Sequence, residues 1–154
     1  MTEITPGVVG DYKLEVAAYT DGVEPSAWTA VRGMTEFTPG QIEKNQEDDS
    51  SFDSDGWASV FSTGLSWKAE GTVKLPRASL TPDAGQEILR AAGSSYAEDG
   101  FVHVRISDKT APTKAVTGIA DVTFTKNGGP RTDLQTAAFA LAGRGALEDV
   151  TITP

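Results

Sequence analysis

WASVFSTGLSWKAEGTVKL, residues 57–75, alternates with a period of two. Trp57, Phe61, Leu65, Trp67, Val73 and Leu75 take odd positions, and Ser62, Ser66, Lys68, Glu70, Thr72 and Lys74 take even ones. In a β-strand such alternation sends the two sets to opposite faces. The odd face is expected to be buried, with Trp57 and Trp67 packed in a core. Unbroken, the segment would run about 60 Å, well beyond the usual strand. A bend or bulge at Gly64 or Gly71 is therefore expected.

Immediately upstream the alternation stops at EDDSSFDSDG, residues 47–56, where five carboxylates and three serines surround a single large apolar residue, Phe52. Residues 43–55 hold Glu43, Glu47, Asp48, Asp49, Asp53 and Asp55 against Lys44, a net of −5 out of −9 for the whole chain. Before it, WTAVRGMTEFT (28–38) reads as a strand that Pro39-Gly40 ends with turn chemistry. Strands 28–38 and 57–75 then form a long hairpin around an oversized loop, acidic over residues 41–56. A loop of that length is usually functional or disordered. Three readings are open: a metal site, a solvated insertion, or an arm that orders against a partner.

Working outward, YKLEVAAY (12–19) alternates as a strand. A helix is predicted over Pro82–Ala92, with Thr81 as its N-cap, Pro82 first, Asp83 near the positive end and Gly93 closing it. FVHVRIS (101–107) and VTGIADVTFTK (116–126) read as strands, the second leading into the turn Asn127–Pro130. QTAAFALAGRG (135–145) and LEDVTIT (147–153) complete the set, Gly143-Arg144-Gly145 marking a bulge or strand end. Leu134, Ala138 and Leu141 also fit a helix face, but a strand is preferred there. Nothing divides or repeats the 154 residues, so a single domain, 1–154, is expected. The fold class is mainly β, with one substantial helix and a long hairpin.

Composition narrows the chemistry. A chain without cysteine has no disulfide, thiol nucleophile or thiolate metal site. A net charge of −9 argues against a protein that grips phosphate through a basic footprint. No apolar run spans a membrane, and the N-terminus lacks the basic and apolar regions of a signal peptide, which suggests a protein made in a cytoplasm. Aligning Gly56 with the glycine of a calcium loop places Asp55 and Asp53 as ligands, but Ser51 and Ser62 stand where carboxylates are needed. His103, the only histidine, shares a strand face with Phe101 and Arg105 and reads as an exposed or satisfied residue. Neither a GxSxG elbow nor a phosphate loop is present. No catalytic residue, cofactor or metal is expected. Trp28, Trp57 and Trp67 could stack on sugars, though core packing suits the last two better.

In the order of its elements the chain resembles the major tail proteins, the tail-tube subunits of long-tailed bacteriophages. The resemblance rests on WTAVRGMTEFTPG, the acidic EDDSSFDSDGW, LSWKAEGTVKL, the helix TPDAGQEILRAAG and the closing DLQTAAFALAGRGALEDVT. It implies a β-sandwich or half-open barrel with one flanking α-helix and a long hairpin, and a structural virion protein: hexameric rings that stack into a hollow tail tube, with DNA passing through the lumen without specific binding. It implies further tail partners (tape measure, tail terminator, tail tip), assembly in the host cytoplasm, and no membrane. It also implies that the hairpin loop reaches an adjacent ring, with Glu47, Asp48, Asp49, Phe52, Asp53 and Asp55 as inter-subunit contacts. Reach permits this, because thirteen extended residues span about 45 Å and a domain of this size is about 40 Å across. The loop is expected to be mobile in the free subunit and ordered in a tube. Two other readings remain: a monomeric β-sandwich binding or adhesion module for a carbohydrate or protein ligand, and a hydrolase.

Overall fold

The alternating segment folds as a 15-residue strand, β4 (Val60–Lys74), paired antiparallel with an equally long β3 (Met34–Asp48). The computed structural model describes residues 3–152. Its other elements are β1 (Tyr12–Ala18), β2 (Thr29–Ala30), a helix α1 (Ala84–Gly93), β5 (Phe101–Asp108), β6 (Ala111–Lys126) and β7 (Thr136–Thr151). All seven strands form one sheet in the order β2-β1-β5-β6-β7-β4-β3, with every pairing antiparallel. Among the described residues the sheet curls without closing, the half-open barrel that the resemblance implied, with one α-helix and the long hairpin.

The two edge strands, β2 and β3, are separated in sequence only by residues 31–33. There the backbone crosses the open seam. Val31 N–H donates to the Leu14 carbonyl at 2.9 Å, and Lys74 N–H donates to the Gly33 carbonyl at 2.8 Å. The expected strand 28–38 breaks at this crossing. The first turn of α1 pins it: the buried Gln86 amide donates to the Arg32 and Lys74 carbonyls at 2.7 and 2.9 Å. Gly85 is required at this contact, because a Cβ would collide with the Ala30 carbonyl.

The same contact corrects the expected helix start. The N-cap is Asp83, not Thr81, and the helix begins at Ala84 rather than Pro82. Asp83 Oδ2 accepts from both Gln86 N–H and Arg32 N–H at 3.2 Å. One carboxylate thus caps the helix, with Gln86 at the capping-box spacing from it, and also ties it to the seam, the one part of its role that no local signal carries.

The core fills the concave face: Leu14 and Val16 of β1, Val102 and Val104 of β5, Val122 of β6, Phe139 and Leu141 of β7, and Val73 of β4, all under Leu89 of α1. Trp67 lies flat against glycines on two neighbouring strands. A Cβ on Gly118 would come within 2.6 Å of its ring, and one on Gly143 would overlap it. Its indole N–H donates to the Gly145 carbonyl at 3.2 Å. That carbonyl is available because β6 and β7 slip register between Thr117 and Ile119, with Gly145 at φ +86°. The slip is a bulge within one continuous strand, so the two separate strands expected at 135–145 and 147–153 are a single β7; Thr153 lies outside the described residues.

Candidate functional site

Strand β7 covers β4 only from Lys68 to Lys74, whereas β3 accompanies β4 out to the Asp48–Val60 pair. The outer part of the hairpin is therefore a two-stranded arm that projects from the sheet with both edges unpaired. Residues 41–48, expected as the first half of an acidic loop, are strand; the connecting loop is 49–59. Strand pairing continues because the cross-strand ladder satisfies these backbone groups regardless of side-chain charge.

The arm overturns the expected burial of the outer odd positions, Trp57, Phe61 and Leu65. Trp67 is buried, but Trp57 is 81% exposed and Phe61 and Leu65 are exposed with it. Trp67 and Val73 lie where the body of the sheet reaches, and both are buried as expected. Between Asn45 and Gln46 the register slips, leaving Thr63 as an extra residue opposite them, the bulge expected near Gly64. A one-residue slip exchanges faces, so Phe61 does not continue the face of Leu65 and Trp67. On that inner face Ile42 pairs with Trp67 and Lys44 with Leu65, so the core's apolar surface runs onto the arm as the exposed Ile42 and Leu65. Val60 and Phe61 add one exposed apolar group to each face nearer the tip.

The tip is shaped by its own short side chains. Asp49 N–H donates to the Ser59 carbonyl and Ser59 N–H to the Ser50 hydroxyl, at 3.0 and 2.7 Å. Ser51 caps a single turn at Phe52–Ser54, and the Ser54 hydroxyl accepts from Ser51 N–H at 3.0 Å. Asp55 and Gly56 take left-handed backbone angles, φ 51° and 80°. The Asp48 carboxyl is held below its ordinary value by the Ser50 hydroxyl and N–H.

Every tip residue singled out from sequence lies on this arm and is exposed: Glu47 and Asp48 end β3, Asp49 opens the loop, and Phe52, Asp53 and Asp55 form its turn. Phe52 touches nothing, at 104% of its reference exposure. The carboxylates do not converge: among the described residues no group of three or more His, Asp or Glu could hold a metal.

His103 departs from the exposed-or-satisfied expectation. Its ring packs between Tyr19 and Trp28 on the convex face, at 5.5 and 6.4 Å between centroids, with Nε2 enclosed and making no hydrogen bond. Beside it Arg105 lies 4.8 Å over the Trp28 ring and bonds the buried Glu15 carboxylate at 2.9 Å. Residues 90 apart in sequence make that pair, so no spacing announced it. No serine lines the groove around His103, and a Ser–His–Asp triad is not assembled there.

No protein-family model matches this chain, and no curated protein does. Solved structures do. A chain in the virion of the native gene transfer agent particle is similar over 94% of this chain and 99% of its own, at TM-score 0.68 and 13% identity. A chain in the tail of the empty gene transfer agent particle, resolved with C6 symmetry, is similar over 93% and 98%, at TM-score 0.68 and 14% identity. The SPP1 tail tube is similar over 95% of this chain and 78% of that one, at TM-score 0.60 and 13% identity. With an open antiparallel sheet, one flanking helix and a projecting hairpin, this chain has the fold found in phage tail-tube and gene-transfer-agent tail particles.

Proposed function

We propose that this protein is the structural subunit of a phage-type tail tube. Six copies form a ring, rings stack around a lumen, and DNA is delivered through it without specific binding. The observation that carries the reading is the projecting arm. An isolated two-stranded hairpin is marginally stable in water, and unpaired edges with exposed apolar side chains invite another chain. This arm exposes Ile42, Leu65, Phe61 and Val60 together with two unpaired edges, which favours cover by other copies. The likeness to a tail resolved with C6 symmetry supports six-fold rings. Glu47, Asp48, Asp49, Phe52, Asp53 and Asp55 make inter-subunit contacts from the tip.

The role needs no catalysis and no cofactor. Tape-measure, terminator and tip proteins are the expected partners, with the tail of the virion as its location after assembly in the host cytoplasm. A net charge of −9 per copy suits a conduit, since a basic wall would hold DNA phosphates. The test is electron microscopy of the concentrated protein beside a variant lacking residues 45–54. Rings or tubes from the intact chain, and a folded but unassembled variant, are expected. A protein that stays monomeric at every concentration would sink the reading in favour of a monomeric binding module.

A further inference from the structure

At the far end of β4 from the tip, the chain leaves the sheet and passes under α1. Between that segment, the helix and the end of β6 lies a cavity of about 160 Å³. Leu80, Pro82 and Phe124 line its apolar part, and Arg77, Arg90 and Lys126 stand around it against one acid, Glu87. Arg90 is taken by Glu87, whose carboxylate accepts three bonds from it, the shortest 2.9 Å. Arg77 and Lys126 make no ion pair among the described residues. The volume suffices for one aromatic ring, since about 150 Å³ holds a benzene.

We propose that this groove is the receptor for the hairpin tip of a second copy of this chain: the Phe52 ring enters between Leu80 and Phe124, and Asp49 and Asp53 face Arg77 and Lys126. The proposal deepens the tail-tube reading and rests on it. Chemistry matches on both sides. Phe52 is an unpacked aromatic ring among carboxylates, and the groove is an apolar slot beside two cations that make no ion pair among the described residues. An aromatic anchor in a pocket with charges around it is how a small contact becomes specific. The tip cannot reach the groove of its own chain, because the 15-residue β4 holds them about 46 Å apart. Two complementary patches at opposite ends of one molecule form a head-to-tail contact, which propagates instead of closing on a pair. Joined along an axis, such contacts stack ring on ring.

The absence of cysteine makes the test direct. A disulfide forms only where two Cα atoms come within about 7 Å. Under mild oxidation, the double variant Ser51→Cys/Ala78→Cys, which keeps Phe52, Leu80 and Phe124 and places its cysteines beside the tip ring and on the groove wall, is expected to give a ladder of covalent multimers. A Ser51→Cys/Thr123→Cys control, with its second cysteine on the opposite sheet face, is expected to give none. Adding Arg77→Glu and Lys126→Glu should lower the ladder several-fold, and Asp49→Lys with Asp53→Lys should restore it. The same samples are viewed by microscopy. Tubes with no ladder above the control overturn the receptor groove and leave the tail-tube reading standing. A ladder without rings or tubes upholds head-to-tail docking and overturns the tail-tube reading. Neither ladder nor tubes overturns both.

Discussion

The rings of Tyr12 and Phe37 meet edge to face, 6.1 Å between centroids at 64°, although they stand on strands at opposite ends of the sheet. Tyr12 opens β1 and Phe37 lies on the edge strand β3, so the contact exists only because the sheet curls. Phe37 also stacks on Phe139 of β7 at 6.5 Å, which ties the curl to the core. Phe37→Ala is expected to cost about 3–5 kcal/mol as a buried aromatic truncation. Tyr12→Phe keeps the ring and should stay within about 0.5 kcal/mol of the parent. Urea unfolding of both variants decides it; a Phe37→Ala cost below about 1 kcal/mol would show that the rings merely touch.

The slot beneath Trp67 predicts a penalty for adding atoms. Gly118→Ala puts a methyl group within 2.6 Å of the indole, between two paired strands that cannot separate freely. A loss of about 1–3 kcal/mol is expected from overpacking. Thermal unfolding measures it, and a variant melting with the parent would mean the ring shifts without strain.

Glu15 and Arg105 form the one ion pair with both partners largely shielded, at 9% and 18% side-chain exposure, among the described residues. Arg105→Ala leaves a buried carboxylate without its main partner, so a loss of about 2 kcal/mol is expected. The double variant Glu15→Gln/Arg105→Met should recover part of that loss, because no buried charge is then stranded. A double-mutant cycle reads the coupling, and strictly additive losses would show that the two residues act independently.

Two turns depend on pH in a stated direction. Ser50 and Thr110 each bond an aspartate two residues before them, Asp48 and Asp108, through hydroxyl and N–H, holding both carboxyls below their ordinary 3.8. A depressed folded value means the stabilisation is complete above 3.8 and is lost as pH falls through the lower folded value. Both groups are exposed, so the effect is local. Carboxyl titration by NMR should place both midpoints below 3.8, with the Ser50 and Thr110 amides losing protection only below that point. A midpoint at or above 3.8 for either would contradict its turn.

Assembly should respond to the tip's charge. Replacing Asp48, Asp49, Asp53 and Asp55 with Asn is expected to leave unfolding unchanged and to flatten the salt dependence of tube formation, since exposed charge pairs are screened within about 10 Å at 0.1 M. Light scattering across a salt series measures this. Amide exchange on subunit and tube supplies the complement: the loop 49–59 should exchange more slowly in the tube. Identical salt curves and equal exchange would reduce the tip to a solvated insertion.

Much of this protein could be read from residues near one another in the chain. Alternation located β1, β4, β5 and most of β6, because a strand with one buried face must alternate wherever it lies. The Pro82-Asp83 and Gly93 signals located the helix to within two residues, and the run from Glu47 to Asp55 marked the exposed tip. Sequence did not separate Trp57 from Trp67. Both occupy odd positions of the same pattern, yet one is 81% exposed and the other 4%. The difference lies in β7, which comes from 70 residues downstream and stops pairing with β4 at Lys68. In the same way the Asp83 carboxylate met the Arg32 N–H across 51 residues, and Glu15 found Arg105 across 90. Local chain chemistry determines which segments alternate, turn or carry charge. Burial is a property of what arrives from elsewhere, and only the tertiary structure decides it.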